Sequence, residues 1–294
     1  MDVLESDREN FVPSARAGVR GPSARAMLFT VLGEFLRGQD SAAWTGTLVT
    51  ALGELGIVES AARRALSRAA GAGWITPAKH GRQIRWSPSA AAVEHFTDAA
   101  DDVYHRRRHP DVWDGEWLVL TTSVPESQRA LRHQLRTQLR WAGFGPLGQG
   151  VWVSPRPYAR KRIRPLLDQL GLGENATAFV GRLGPVGSEY EVVRQAWDLG
   201  ELSREYHDFV AGQESVALPG EPRRVFVLLT QMVHQWRSFL LRDPTLPSEL
   251  LPVGWVGHRA RELFHERHDA WSATAAAWLR DLDRRADPER PTSS

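Results

Sequence analysis

Apolar positions recur at helical spacing from the first third of the chain onward. Met27, Leu28, Val31, Leu32 and Phe35 form one stripe, opened by Pro22-Ser23 and ended by Gly38, which predicts a helix running through Arg37. Leu48, Val49, Leu52 and Leu55 form a second over Trp44–Leu55. In the next stretch the inner side shrinks to Ala62, Leu66, Ala69 and Gly73, which fall together at about 100° per residue, and Ser60 is a candidate cap. Arg64, Ser67 and Arg68 occupy the opposite side, with Arg63 at its edge. Gly71 and Gly73 then stop the helix where a chain must reverse. Trp74-Ile75 and Ile84-Arg85-Trp86 follow as two strands about a turn carrying Lys79, His80, Gly81 and Arg82.

From Pro88 to His109 the pattern is a polar, Ala-rich linker helix closing on His105-Arg106-Arg107-Arg108-His109; this end either touches DNA backbone or is simply solvated. The period changes after Trp113. Trp117 to Thr121 reads as a strand, followed by a helix with Leu131, Leu135 and Leu139 on one face and Arg129, Arg132, Arg136 and Arg140 around the rest. A hairpin about Gly148-Gln149-Gly150, a helix from Pro157 to Leu170 and a strand from Ala176 to Val180 complete the order βαββαβ. That order predicts a ferredoxin-like sandwich with both helices on one sheet face. The remainder is helical, over Glu189–Val210, Arg223–Arg242 and His258–Arg285, with the Pro-stiffened loop DPTLPSELLPVGWVG before the last.

The fold class expected is therefore α+β and multidomain. Its parts are a polar leader without apolar period over 1–21, expected to be disordered, a winged helix-turn-helix over 22–87, a linker helix over 88–112, the sandwich over 113–185, a C-terminal helical domain over 186–286 and a tail over 287–294. A chain of 294 residues with 42% hydrophobic content supports two or three packed cores. No run is long and apolar enough to span a membrane and no signal-peptide core precedes the first helix, so a cytoplasmic protein is expected. The absence of Cys removes disulfides, thiolate zinc sites and Cys nucleophiles. With a net charge of only +2, attraction to nucleic acid has to come from local clustering.

That clustering is the chemistry the sequence offers. A helix exposing guanidinium and hydroxyl groups beside a cationic hairpin fits the winged-helix manner of binding double-stranded DNA, in which the helix enters the major groove and the wing grips the backbone. Arg63, Arg64, Ser67, Arg68, Lys79, Arg82 and Arg85 are the candidate DNA contacts. A solvated Arg-rich helix beside an ordinary hairpin has the same pattern. The run His265-Glu266-Arg267-His268-Asp269 places His265 and Asp269 four apart, a spacing open to a metal or to a plain polar helix face. No GxSxG, Walker or GxGxxG pattern occurs, so neither an enzyme nor a cofactor or bound metal is expected.

Five segments in order, ARRALSRAAGAGWI (62–75), WDGEW (113–117), WAGFGPLGQGVWVSP (141–155), AWDL (196–199) and HQWRSFLLRDPTLPSELLPVGWVGHRARELF (234–264), resemble the PaaX family of bacterial transcriptional regulators over roughly residues 23–282. The family's VRxALSRL helix lands on Ala62 to Ala69, with Arg63 and Arg68 matching and Arg64 standing where a small residue is common. Its wing pattern GRRSYYRLT becomes Gly81-Arg82-Gln83-Ile84-Arg85-Trp86-Ser87, keeping Gly-Arg and losing the tyrosines. The resemblance implies a homodimeric repressor of aromatic catabolism that binds an inverted-repeat operator and is released by phenylacetyl-coenzyme A. The sandwich also resembles the fold of the CRISPR-associated Cas2 nucleases, yet Thr121-Thr122-Ser123 stands where their metal-binding Asp would be. An acyl-coenzyme A effector needs cations for its phosphates and an apolar pocket for its acyl end. Arg156, Arg160 and Lys161 are candidates for the first and Trp113, Trp117, Trp236 and Trp255 for the second, with a solvated helix face and ordinary core packing as the alternatives. An activator, a regulator answering another effector, or a winged helix that binds protein would share this scaffold.

Overall fold

Ser23 caps the first helix, α1 (Ala24–Phe35), its hydroxyl accepting from the Ala26 amide at 3.2 Å, and the predicted stripe is buried almost completely. The computed structural model describes residues 22–38, 41–100, 113–156, 159–217, 220–240 and 242–287. The leader, the His105–His109 run, the second half of the linker helix and the tail beyond residue 287 lie outside them. The described residues fall into two compact units, one within 1–106, 211–240 and 261–294, the other within 107–210 and 241–260.

In the first unit α1 is followed by a two-residue strand, β1 (Ala43–Trp44), then α2 (Thr45–Glu54), α3 (Glu59–Gly71), the hairpin β2 (Ile75–His80) and β3 (Gln83–Pro88), and α4 (Ala90–Ala100). The antiparallel sheet has the order β1-β3-β2, so β3 is central and Pro77 falls on an edge strand, where its missing N–H costs nothing. Hydrophobic spacing alone did not predict β1, because two residues carry no period. Phe29, Trp74 and Phe96 meet edge-on or tilted, with centroids 5.0–6.3 Å apart, and close the core of this part.

Two C-terminal helices, α9 (Pro222–Leu240) and much of α10 (Val256–Arg285), belong to the same unit. Phe226 packs against Phe35 and Trp278, and Trp236 stacks on Phe264 at 4.5 Å. Polar pairs join these helices to α1: the Glu34 carboxylate lies 2.9 Å from the His268 imidazole, and His234 Nδ1 lies 3.0 Å from the buried Thr30 hydroxyl. The unit thus unites stretches that the hydrophobic pattern places in separate domains.

His234 gives this unit a pH dependence. Burial, and secondarily the charge of Arg237, push its imidazole from the usual 6.5 down to about 4. The unfolded chain binds that proton near pH 6.5 and the folded one resists it until about 4. The contribution to stability is therefore whole above 6.5 and is lost as pH falls toward 4. Denaturant titrations should show that wild type loses about 2 kcal/mol more than a His234→Gln variant between pH 7 and pH 5. Parallel pH profiles for the two proteins would contradict this assignment.

The second unit contains β4 (Trp117–Thr122), α5 (Arg129–Trp141), β5 (Gly145–Gly148), β6 (Val151–Ser154), α6 (Ala159–Gln169) and β7 (Ala176–Gly181). The strands are antiparallel in the order β5-β6-β4-β7, the split βαβ arrangement read from the sequence. Leu118, Leu120 and Trp152 meet Leu135, Leu139, Ile163 and Leu167, so both helices do cover one face. On the other face Trp117 and Val153 pack against Val193 and Ala196 of α7 (Glu189–Ala196) and against Leu246 and Leu250 of the Pro-rich loop. Gly145 permits this contact: a Cβ there would stand 2.6 Å from both the Ala196 Cβ and the Trp197 ring. The remaining helix, α8 (Leu199–Glu214), continues from α7.

Candidate nucleic-acid interface

Four small or aliphatic residues, Ala62, Ala65, Leu66 and Ala69, form the buried side of α3 and let it sit closely on α1 and α2. Arg63, Arg64, Ser67 and Arg68 are exposed on the other side. Arg63 is tied to Glu59 at 2.8 Å, whereas among the described residues Arg64 and Arg68 make no ion pair or side-chain hydrogen bond. Two expectations about the helix ends need correction. Val58, not Ser60, is the N-cap, and no side chain caps the amides, because Ser60 already lies inside the first turn. Gly73 is exposed and belongs to the stop rather than the inner face. At φ +76 it lets Trp74 N donate to Ala69 O at 2.9 Å while its own N donates to Ala70 O at 3.0 Å, the paired bonds of a Schellman ending.

The hairpin turns at Gly81-Arg82, with His80 paired to Gln83. Gly81 has φ +59 at the first central position, where a type II′ turn requires glycine. Lys79 and Arg82 are exposed and, among the described residues, unpaired. His80 lies on the strand, its ring 5.2 Å from that of Trp44. The base of the hairpin is anchored. Thr45 Oγ1 donates to Ile84 O at 3.1 Å and accepts from Trp86 Nε1 at 2.8 Å.

Arg85 leaves the outward set. Its guanidinium lies over the Trp44 ring at 5.3 Å and its Nη2 is 3.4 Å from Asp283 Oδ2, so its charge faces the protein rather than a duplex. The other oxygen of Asp283 accepts from Trp44 N at 2.9 Å and from Thr47 Oγ1 at 2.7 Å, supplying from α10 an acceptor that the side chain of the N-cap residue Trp44 does not provide. Nothing local marks Asp283 in the sequence. It sits in DLDRR like any solvated acid, 239 residues from the amide it binds.

Of the candidate effector residues, Trp236 belongs to the first unit and Trp113, Trp117, Arg156 and Trp255 to the second. Arg156 is buried and its guanidinium donates to the carbonyl of Pro244, so it holds the Pro-rich loop and is not available to a phosphate. Trp117 is buried between Trp113, 5.5 Å away and perpendicular, and Trp197, stacked at 6.4 Å. Trp113 donates to Glu116 O at 3.0 Å. Trp255 is buried with its ring edge-on to Tyr206, whose hydroxyl donates to Asp243 at 2.7 Å. Trp236 is a core residue of the first unit and the other three tryptophans belong to the second. The side chains of Arg160 and Lys161 lie outside the described residues.

In the run 265–269, His268 pairs with Glu34, and His265 meets the edge of the Phe264 ring. No group of three or more His, Asp or Glu suited to a metal occurs among the described residues. Nor is any described helix long and apolar enough to cross a membrane.

The architecture defines a mixed α+β multidomain protein with two antiparallel sheets, one of them in a split βαβ sandwich. Residues 23–92 match the PaaX-like protein family, residues 110–193 the PaaX protein central Cas2-like domain and residues 197–281 the PaaX-like protein C-terminal domain. With all three matched in order along its length, the chain belongs to the PaaX family. It is 28% identical over 279 residues to the transcriptional repressor PaaX of Escherichia coli K12, covering 92% of this chain and 87% of that one. In structure it is similar to the uncharacterized protein Rv0674 from Mycobacterium tuberculosis, with a TM-score of 0.59 and 25% identity, over 88% of this chain and 99% of the other.

Proposed function

We propose that the protein is a PaaX-like transcriptional repressor, not an enzyme, whose residues 22–87 act as a winged helix-turn-helix on double-stranded DNA in the cytoplasm. The observation that carries this reading is the outward face of α3, where Arg64, Ser67 and Arg68 are exposed with Arg64 and Arg68 unpaired among the described residues, next to a hairpin tip bearing Lys79 and Arg82. Forked donors at these positions suit guanine edges, and the wing cations suit phosphates. The named similarity to a repressor supports the direction of regulation.

The protein acts as a homodimer on an inverted-repeat operator, since a two-fold protein reads a two-fold site. Support for a second copy comes from β7, an edge strand exposed over Thr177–Gly181 with Phe179 60% and Val180 45% accessible. An unpaired apolar edge of this kind is usually covered. A small effector, an aromatic acyl-coenzyme A thioester such as phenylacetyl-coenzyme A, releases the operator by binding more tightly to a dimer geometry that no longer fits the half-sites.

A gel-shift with the DNA upstream of its own gene tests the reading. A specific complex that dissociates on adding an acyl-coenzyme A ester is the expected result. No preference for that DNA over random duplex would contradict it, and a complex indifferent to every aromatic ester would remove the effector.

A further inference from the structure

We propose that the outer side of the central sandwich, along α5, is a second duplex-binding surface that grips phosphates without reading sequence. This rests on the reading of the chain as a DNA-binding protein, but on different residues.

The sandwich carries charge that the whole chain does not. Residues 113–185 contain ten Arg and Lys against five Asp and Glu, a surplus of five, whereas the entire protein has a net charge of +2. Four of those cations, Arg129, Arg132, Arg136 and Arg140, lie on α5, which has His133 between them and no acidic residue. Leu135 and Leu139 turn one side of the helix to the sheet, while Arg129, His133, Arg136 and Arg140 are exposed within roughly 60° of one another around its axis. From Arg129 to Arg140 the row is about 16 Å long, the axial extent of roughly five phosphates on one strand of B-DNA.

A merely solvated face is expected to mix signs, and several arginines on other helices are paired in that way. Arg63 of α3 pairs with Glu59, Arg164 of α6 with Asp168, and Arg284 and Arg285 of α10 with Asp281. On α5, Arg132 alone has a carboxylate in reach, Glu126 at 3.8 Å, and it also donates to Val124 O at 3.1 Å. Arg129, Arg136 and Arg140 have no such partner among the described residues. Arg132, Arg136 and Arg140 moreover follow one another at i,i+4, a spacing at which like charges destabilise a helix. A row of guanidiniums that opposes its own helix and, Arg132 aside, has no counter-charge among the described residues is relieved by a polyanion. Its straightness and length select a duplex backbone over a single phosphate group.

The test is salt-dependent binding by the full-length protein, comparing wild type, R129Q/R136Q/R140Q and R64A/R68A on operator and on random duplex. Gln keeps helix propensity, and a thermal melt by circular dichroism checks the fold. The stripe variant should bind both DNAs about 10- to 100-fold more weakly at fixed salt, with the slope of log K against log salt reduced by about 2–3. Unchanged affinity and slope in a folded variant would overturn the proposal, as would loss confined to the operator. So would a stripe variant whose only defect is release by acyl-coenzyme A, since that assigns the cations to the effector's phosphates. Loss in the stripe variant with R64A/R68A unaffected would keep this proposal and reject α3 as the reading helix. The reverse pattern would reject this proposal alone.

Discussion

Replacing Arg64 and Arg68 together by Ala lowers affinity for the operator by roughly 30- to 10⁴-fold, because each bidentate contact to guanine is worth about 1–3 kcal/mol. The loss on random DNA is much smaller, so the ratio of specific to non-specific binding collapses. Neither side chain packs on the protein and neither has an internal partner among the described residues, so the double variant keeps its melting temperature. Lys79→Ala and Arg82→Ala behave differently. Both tip cations weaken operator and random duplex alike and reduce the salt slope by about 0.9 each. Titrations on both DNAs at three salt concentrations separate the two classes, and equal losses on both DNAs for all four positions would show that α3 does not read bases.

Asp283→Ala destabilises the first unit by about 2–4 kcal/mol, seen as a fall in melting temperature of about 5–15 °C. One carboxylate, with only 17% of its side chain exposed, accepts from an amide at the start of α2 and from the buried Thr47 hydroxyl, and balances the half-buried Arg85. Removing it leaves two donors and a cation without their acceptor at once. The effect reaches DNA because Arg85 lies in β3, the hairpin strand at the centre of the sheet, and Thr45 ties the hairpin to α2. Weaker binding therefore accompanies lower stability. Asp283→Asn keeps an oxygen for Trp44 and Thr47 but loses the charge facing Arg85, and falls between the two. A variant that melts with wild type would show that the carboxylate is dispensable and that Arg85 is free to serve elsewhere.

How much of this was legible beforehand follows from the range of each interaction. The inner face of α3, its glycine stop and the alternation of the sandwich strands depend on neighbours a few residues apart, and periodicity reports those directly. The outward placement of Arg64 and Arg68 came from the same spacing. Arg85 was misplaced because alternation along a strand gives a face but not what covers it, and the cover is an acid from the far end of the chain. Arg156 failed for the same reason, its partner being a backbone carbonyl in the Pro-rich loop. The assignment of α9 and most of α10 to the unit containing α1 was equally invisible. It rests on pairs such as Thr30 with His234 and Glu34 with His268, whose members are more than 200 residues apart. Trp236, by its chemistry a candidate for a pocket wall or for core packing, is a stacking partner of Phe264 by its position.

Methylation interference on the operator measures most directly whether the α3 face enters the major groove. Methyl groups at guanine N7 should block the complex at two clusters centred about 10 base pairs, or a multiple of that, apart, and Arg68→Ala should abolish the effect at one guanine in each. Interference confined to minor-groove adenines, or a complex untouched by N7 methylation, would contradict the account.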